Sequence, residues 1–185
     1  MSVFVGRSGR PARFAPLTRL AAGAVLLLVA PAAVVAQGAD ASCEAAEHRQ
    51  FDFWLGHWEV SNPAGDVVGT NTITVVSDGC GLHERWEGAG GGVGESLNAY
   101  DRRTGSWHQT WVGGRGLVLR LEGGVRDGAM VLEGDLVEGE QVVLQRITWT
   151  SDHDGSVRQL WETSEDAGAS WTTTFDGTYR KIDRR

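Results

Sequence analysis

Signals of familiar chemistry are scarce in this chain of 185 residues. His48, His57, His83, His108 and His153 are scattered, with no His-x-His or His-x₃-His pair, so a zinc site is not expected. The glycine-rich run Gly88 to Gly94 has no following Lys-Ser/Thr and opens no helix, which excludes a phosphate cradle. Ser96 follows Gly94-Glu95 but lacks the second glycine of a nucleophile elbow. No segment of the expected domain supports a helix longer than a turn or two, and there is no self-similarity at a period of 20–50 residues.

Cysteine is limited to Cys43 and Cys80. The N-terminus explains what they are for. Arg7, Arg10, Arg13 and Arg19 precede an apolar run from Leu20 to Val35, and Val34-x-Ala36 places small residues at a cleavage position. Residues 1–36 therefore read as a secretory signal peptide. A membrane anchor is the weaker alternative, because the run is interrupted by Pro31 and is short for a span of about 20 residues. There is no adjacent arginine pair for a twin-arginine route. Asp40 stands where a lipoprotein leader needs an aliphatic residue before Cys43. The expected location is periplasmic or secreted. In that oxidising compartment Cys43 and Cys80 are expected to form a disulfide.

Basic residues are outnumbered, 17 against 24 acidic. The leader holds four arginines and no acid, so the remainder carries a formal charge of −11. Such a surface repels nucleic acid and anionic lipid heads, and neither is expected as a partner.

What is plentiful is the alternating pattern of strands. Residues 37–50 read as a tail with one helical turn between Glu44 and Gln50, capped by Ser42. The domain of residues 51–185 reads as about ten strands: Trp58–Ser61, Val67–Val76, Leu82–Glu87, Ser96–Asp101, Trp107–Val112, Leu117–Glu122, Ala129–Leu136, Val142–Thr150, Val157–Thr163 and Trp171–Ile182. Short turns such as Asp127-Gly128 join them, and Gly177 marks an expected bulge or kink. The even spacing predicts an all-β protein, an antiparallel up-and-down β-barrel. A two-sheet sandwich fits less well, because closure removes exposed strand edges.

Eight tryptophans in one domain exceed the needs of a core. Trp107, Gln109 and Trp111 share one strand face, as do Glu84 and Trp86, Asn98 and Tyr100, and Gln159 and Trp161. If these faces line the barrel, they form an aromatic cavity with a few placed polar groups. The alternative is that the rings fill the interior. Arg120 is expected outside, because Leu117, Leu119 and Leu121 take the inward parity. Parity leaves Arg146 and Arg158 open.

Gly56-x-Trp58 on the first strand, with Arg180 after Tyr179 on the last, resembles the lipocalin/calycin pattern. The resemblance implies a tryptophan at the closed end of the barrel with an arginine packed across its indole, which would make Gly56, Trp58 and Arg180 structural. Phe51-Asp52-Phe53-Trp54-Leu55-Gly56 resembles the start of a family of uncharacterised exported bacterial β-barrel proteins. That likeness extends through Gly79-Cys80, Glu84-x-Trp86 and Val157-Arg158-Gln159-x-Trp161-Glu162 to Phe175-Asp176-Gly177-x-Tyr179. Ser164-x-Asp166-x-Gly168-x-x-Trp171 is similar to the Asp-box of sialidases and other β-proteins, which implies a rigid hairpin turn and no glycan cleavage. Barrels of this shape that bind haem place a histidine near the last strand. Nothing after His153 supplies one, so no cofactor is expected.

The expected function is binding of a small apolar or mixed-polarity ligand by Glu84, Trp86, Asn98, Tyr100, Trp107, Gln109, Trp111, Arg146, Gln159 and Trp161. One alternative is an enzyme on the same barrel with Glu84 as acid/base and Asn98, Tyr100 or Arg146 as polarising groups. Another is an envelope interaction module that uses exposed strands.

Overall fold

The computed structural model describes residues 43–183. The signal peptide expected over residues 1–36 and the proposed cap Ser42 lie outside the described residues. Ten antiparallel strands close into a barrel in which each strand pairs with its neighbours in sequence and β1 meets β10. They are β1 (Gly56–Ser61), β2 (Val67–Val76), β3 (Gly81–Gly88), β4 (Val93–Asp101), β5 (Ser106–Gly113), β6 (Val118–Arg126), β7 (Ala129–Glu138), β8 (Gln141–Ser151), β9 (Val157–Ser164) and β10 (Thr172–Lys181). The meander follows from the alternation: one parity of each strand is apolar and turns inward, and short turns leave no residues for crossovers.

The segment before β1 departs from the strand pattern. A single turn of helix, α1 (Ala46–Arg49), begins at Ala45 with no side-chain cap. A 3₁₀ turn over Asp52–Trp54 follows. The aromatic run from Phe51 thus does not enter the first strand directly. It folds across one end of the barrel as a plug. Phe51 stacks on Trp54 with centroids 4.9 Å apart and meets Trp107 and Trp149 edge-on. A disulfide joins Cys43 to Cys80 at the β2–β3 turn, and Arg49 Nη1 donates to the Gly79 carbonyl beside it. These two links tie the plug to the rim.

Two details of the last strand differ from expectation. Arg180 does not pack on Trp58. Val60 faces Tyr179, and Glu59 faces Arg180. Because side chains alternate along a strand, Tyr179 turns inward and Arg180 must turn out. There it reaches Asp154 at 3.3 Å. The inward parity at the rim falls to Lys181, the only lysine of the chain, whose Nζ lies 5.1 Å from the Trp58 ring centroid. The cation over the indole is present, one residue later than the pattern implies. The Trp58 indole N–H donates to the Trp54 carbonyl at 2.9 Å.

The bulge expected at Gly177 lies elsewhere: the register shifts between Thr173 and Phe175. Gly177 pairs in regular register with Gln159. A Cβ there would sit 2.6 Å from the Phe175 ring and 2.9 Å from Val60, so close packing accounts for this glycine. Gly56 does carry the unusual backbone, with φ +144° where the chain enters the barrel.

The hairpin joining β9 and β10 is rigid. Ser164 Oγ donates to Asp166 Oδ1, and Gly168 N donates to Ser164 Oγ, both at 2.8 Å. Asp166 also accepts from Ser170 N and Oγ. These donors hold its carboxyl near pKa 2, with the Ser170 hydroxyl the largest cause. Arg146 stacks on Trp171 at 3.9 Å outside the barrel.

Candidate functional site

The interior divides into two halves. Toward the plug, Trp54, Trp58, Trp107 and Trp149 are fully or almost fully buried and pack with Phe51, Met130, Leu132 and Val157. Toward the other rim lies a cavity of about 220 Å³. Its walls are Trp86, Trp111, Trp161 and Phe175, with Leu119 and Ile147. Its polar groups are Glu84, Gln109, Gln159, Thr174 and Tyr179.

Glycine positions two of the rings. A Cβ on Gly69 would meet the Trp86 ring at 2.6 Å, and one on Gly94 would overlap the Trp111 ring. Each indole lies across bare backbone of the neighbouring strand, which fixes its tilt, and Trp86 also meets the Phe175 ring edge-on. Trp161 is held differently: its indole N–H donates to Gln145 Oε1 at 2.9 Å.

The polar groups form a directed chain. Gln109 Nε2 donates to Asn98 Oδ1 at 2.9 Å, Asn98 Nδ2 to Ser96 Oγ at 2.9 Å, and Ser96 Oγ to Glu84 Oε2 at 2.6 Å. From the other side Asn71 Nδ2 donates to Glu84 Oε1 at 2.7 Å. Tyr179 Oη donates to Gln159 Oε1 and accepts weakly from Asn71 at 3.4 Å. The bonds from Gln109 through Asn98 and Ser96, and the one from Asn71, run toward the Glu84 carboxyl, while the Tyr179 hydroxyl points away to Gln159; aligned bonds of the first kind reinforce one another.

Glu84 is 3 % exposed. Burial pushes its carboxyl up to about 7; the Ser96 and Asn71 hydrogen bonds and the more distant His83 pull the other way. The same burial, helped by the Glu84 charge, pushes the Tyr179 phenol up. Among the described residues no basic side chain lines the cavity. His83 is on the opposite parity of β3 and contacts Glu95 outside at 3.0 Å. Among the described residues no three His, Cys, Asp or Glu side chains are grouped to hold a metal ion.

Of the residues expected to form the site, Glu84, Trp86, Gln109, Trp111, Gln159 and Trp161 line this one cavity. Asn98 is buried behind Gln109 and connects to it. Two others belong to the closed half. The Trp107 indole donates to the Glu47 carbonyl and Gln50 Oε1, and Tyr100 packs on His48 with ring centroids 5.2 Å apart. Arg146 does not join the cavity. It lies between the inward residues Gln145 and Ile147 and so faces out, where it pairs with Glu162 at 3.0 Å.

Sequence reasoning passed over Asn71, Ser96, Leu119, Ile147, Thr174 and Phe175. Parity carried the signal for two of them: Asn71 alternates with Ile73, and Ser96 with Asn98. Neither is remarkable as a residue type until the facing strand places Glu84 between them.

Compared with known protein families and with curated proteins, the chain matches none. The barrel with its buried aromatic cluster is itself compatible with ligand binding.

Proposed function

We propose that the protein is an exported binder of small molecules, holding a ligand of mixed polarity in the open half of the barrel. The observation that carries this reading is the cavity itself. Three indoles and a phenyl ring stand around unfilled space, while the same barrel is packed solid a few residues further along each strand. Apolar walls with a few convergent polar groups are the usual form of a ligand site. The Cys43–Cys80 disulfide is consistent with an oxidising, exported setting. The calycin likeness of Gly56-x-Trp58 fits the closed barrel and the cation over Trp58, with Lys181 taking the place of the arginine. The acidic net charge favours a small molecule over nucleic acid as the partner.

Intrinsic tryptophan fluorescence, titrated with fatty acids, aromatics and oligosaccharides, tests the proposal. A saturable change is expected. Trp161→Ala should weaken it by about tenfold, the loss of roughly 1.4 kcal/mol. Trp171→Ala, on the outer face, should leave it unaltered. No saturable response from any class, or equal effects of the two variants, ends this reading.

A second reading rests on Glu84. A carboxyl that titrates near neutrality in a cavity can donate or accept a proton. If the protein is an enzyme, a bound compound should be recovered chemically altered from the wild type and intact from Glu84→Gln. Recovery of intact compound from both leaves binding alone.

A further inference from the structure

Among the described residues no cation pairs with the Glu84 carboxyl. It accepts from Asn71 on one oxygen and, on the other, from the chain that runs from Gln109 through Asn98 to Ser96, and these donors are organised to support a negative charge. Yet among the described residues no lysine, arginine or histidine lines the cavity, and the ion pairs lie at the surface or on the outer face. A buried carboxylate with no cation is costly, and a cation supplied by a ligand removes that cost. The indole and phenyl faces beside it carry negative π density, which attracts the same charge.

On this basis, and resting on the binding function proposed above, we propose that the cavity selects an organic cation, a protonated primary amine on an aromatic or aliphatic body, with its ammonium at Glu84 and its body against Trp86, Trp111 and Trp161. An anionic ligand is disfavoured by Glu84 directly. A neutral one leaves the carboxyl uncompensated. The cavity of about 220 Å³ is small for a ligand site, which suits a body of one ring or a short chain.

The preference depends on pH. Glu84 must be ionised to receive an ammonium, and in the free protein burial holds its carboxyl up at about 7. Across the cavity from β10 the titratable group facing it is Tyr179, whose phenol is pushed up and stays neutral. From β2, β4 and β5 the groups facing it are Asn71, Ser96 and Gln109, none of which titrates. His83 acts through the wall on β3. Affinity for a cation should therefore rise as pH passes through about 7, with no second inward group to mask it.

The test uses two probes of one size, phenethylammonium and 2-phenylethanol, titrated calorimetrically against the exported protein at about pH 6 and about pH 8. At the higher pH the ammonium is expected to bind about tenfold or more tightly than the alcohol, and at the lower pH the ratio should shrink. Glu84→Gln should bring the ratio close to one at both. Should that variant not fold, the pH dependence in the wild type decides alone. Equal binding of the two probes, or tighter binding of the alcohol, overturns the cation preference and leaves the binding cavity standing. No binding of either probe also overturns it, and the panel of neutral and acidic ligands then decides whether the cavity reading falls too.

Discussion

The two halves of the barrel use the same residue type in opposite ways. In the closed half Trp54, Trp58, Trp107 and Trp149 are filler. In the open half Trp86, Trp111 and Trp161 are walls. Strand parity treats all six strand tryptophans alike, as inward residues. The difference is made by what arrives from outside the sheet. The segment from Ala46 to Trp54 inserts Phe51 and Trp54 between the rings at one end, and none of the described residues plugs the other in this way. Packing in the closed half even overrides hydrogen bonding, since the buried indole nitrogens of Trp54 and Trp149 find no partner among the described residues. Each such group costs about 1–3 kcal/mol, which the contact area of a buried ring offsets.

The contrast can be broken most directly by truncation. Trp54→Ala should cost about 3–5 kcal/mol in urea unfolding, because it opens a void among fully buried rings. Trp111→Ala, at a wall already bordering free space, should cost clearly less. Equal losses would mean that the open half is as tightly packed as the closed one.

The disulfide sharpens the same comparison. Cys43 and Cys80 are separated by 37 residues, and closing a loop of that size is worth about 3–4 kcal/mol in the chain-entropy model. Replacing both with serine should lower the unfolding free energy by about that amount. It should also raise amide exchange around Phe51–Trp54 more than at the cavity walls. Uniform exchange across both halves would show that aromatic packing and the Arg49 and Trp107 hydrogen bonds hold the plug without the disulfide.

Third in size is the pH dependence that the open half imposes. A carboxyl raised from 4.5 to about 7 binds its proton more tightly in the folded state. Stability from this group is therefore full below about pH 4.5 and declines as pH rises to about 7, by roughly 3 kcal/mol in total. Glu84→Gln should flatten that segment of the profile, measured by urea unfolding at several pH values. Asp154 and Asp166, both held near pKa 2 by hydrogen bonds, act in the opposite sense: their contribution is present above about pH 4 and is lost as pH falls toward 2. An unchanged slope in the Glu84 variant would place the neutral-pH loss elsewhere.

The smallest effects belong to the outer face and the rim. Arg180→Ala removes an exposed pair with Asp154 and should cost well under about 1 kcal/mol. Lys181→Ala removes the cation above Trp58 and should cost somewhat more, about 0.5–1 kcal/mol. The reverse order would restore Arg180 to the role implied by the calycin pattern.

Much of this was legible beforehand. Alternation and turn spacing are local properties, so ten strands, their order and the inward set Glu84, Trp86, Gln109, Trp111, Gln159 and Trp161 follow from short stretches of chain. The Arg180 assignment failed by one residue because a motif names residue types, whereas register decides which side they face. The path of Phe51–Trp54, ahead of the first expected strand at Trp58, is not legible in the sequence for a related reason. A dense aromatic run has strand-like composition, and only the open end of a barrel makes a 3₁₀ plug the better way to bury it.

Composition and period by themselves determined an all-β chain, its meander and its two cysteines as partners. Tertiary structure alone decided that half the interior is solid and half is hollow, and that Asn71 and Ser96 converge on Glu84. These contacts join residues from strands distant in sequence or from a segment outside the sheet. A local pattern records which way a side chain points, and carries no record of what it meets there.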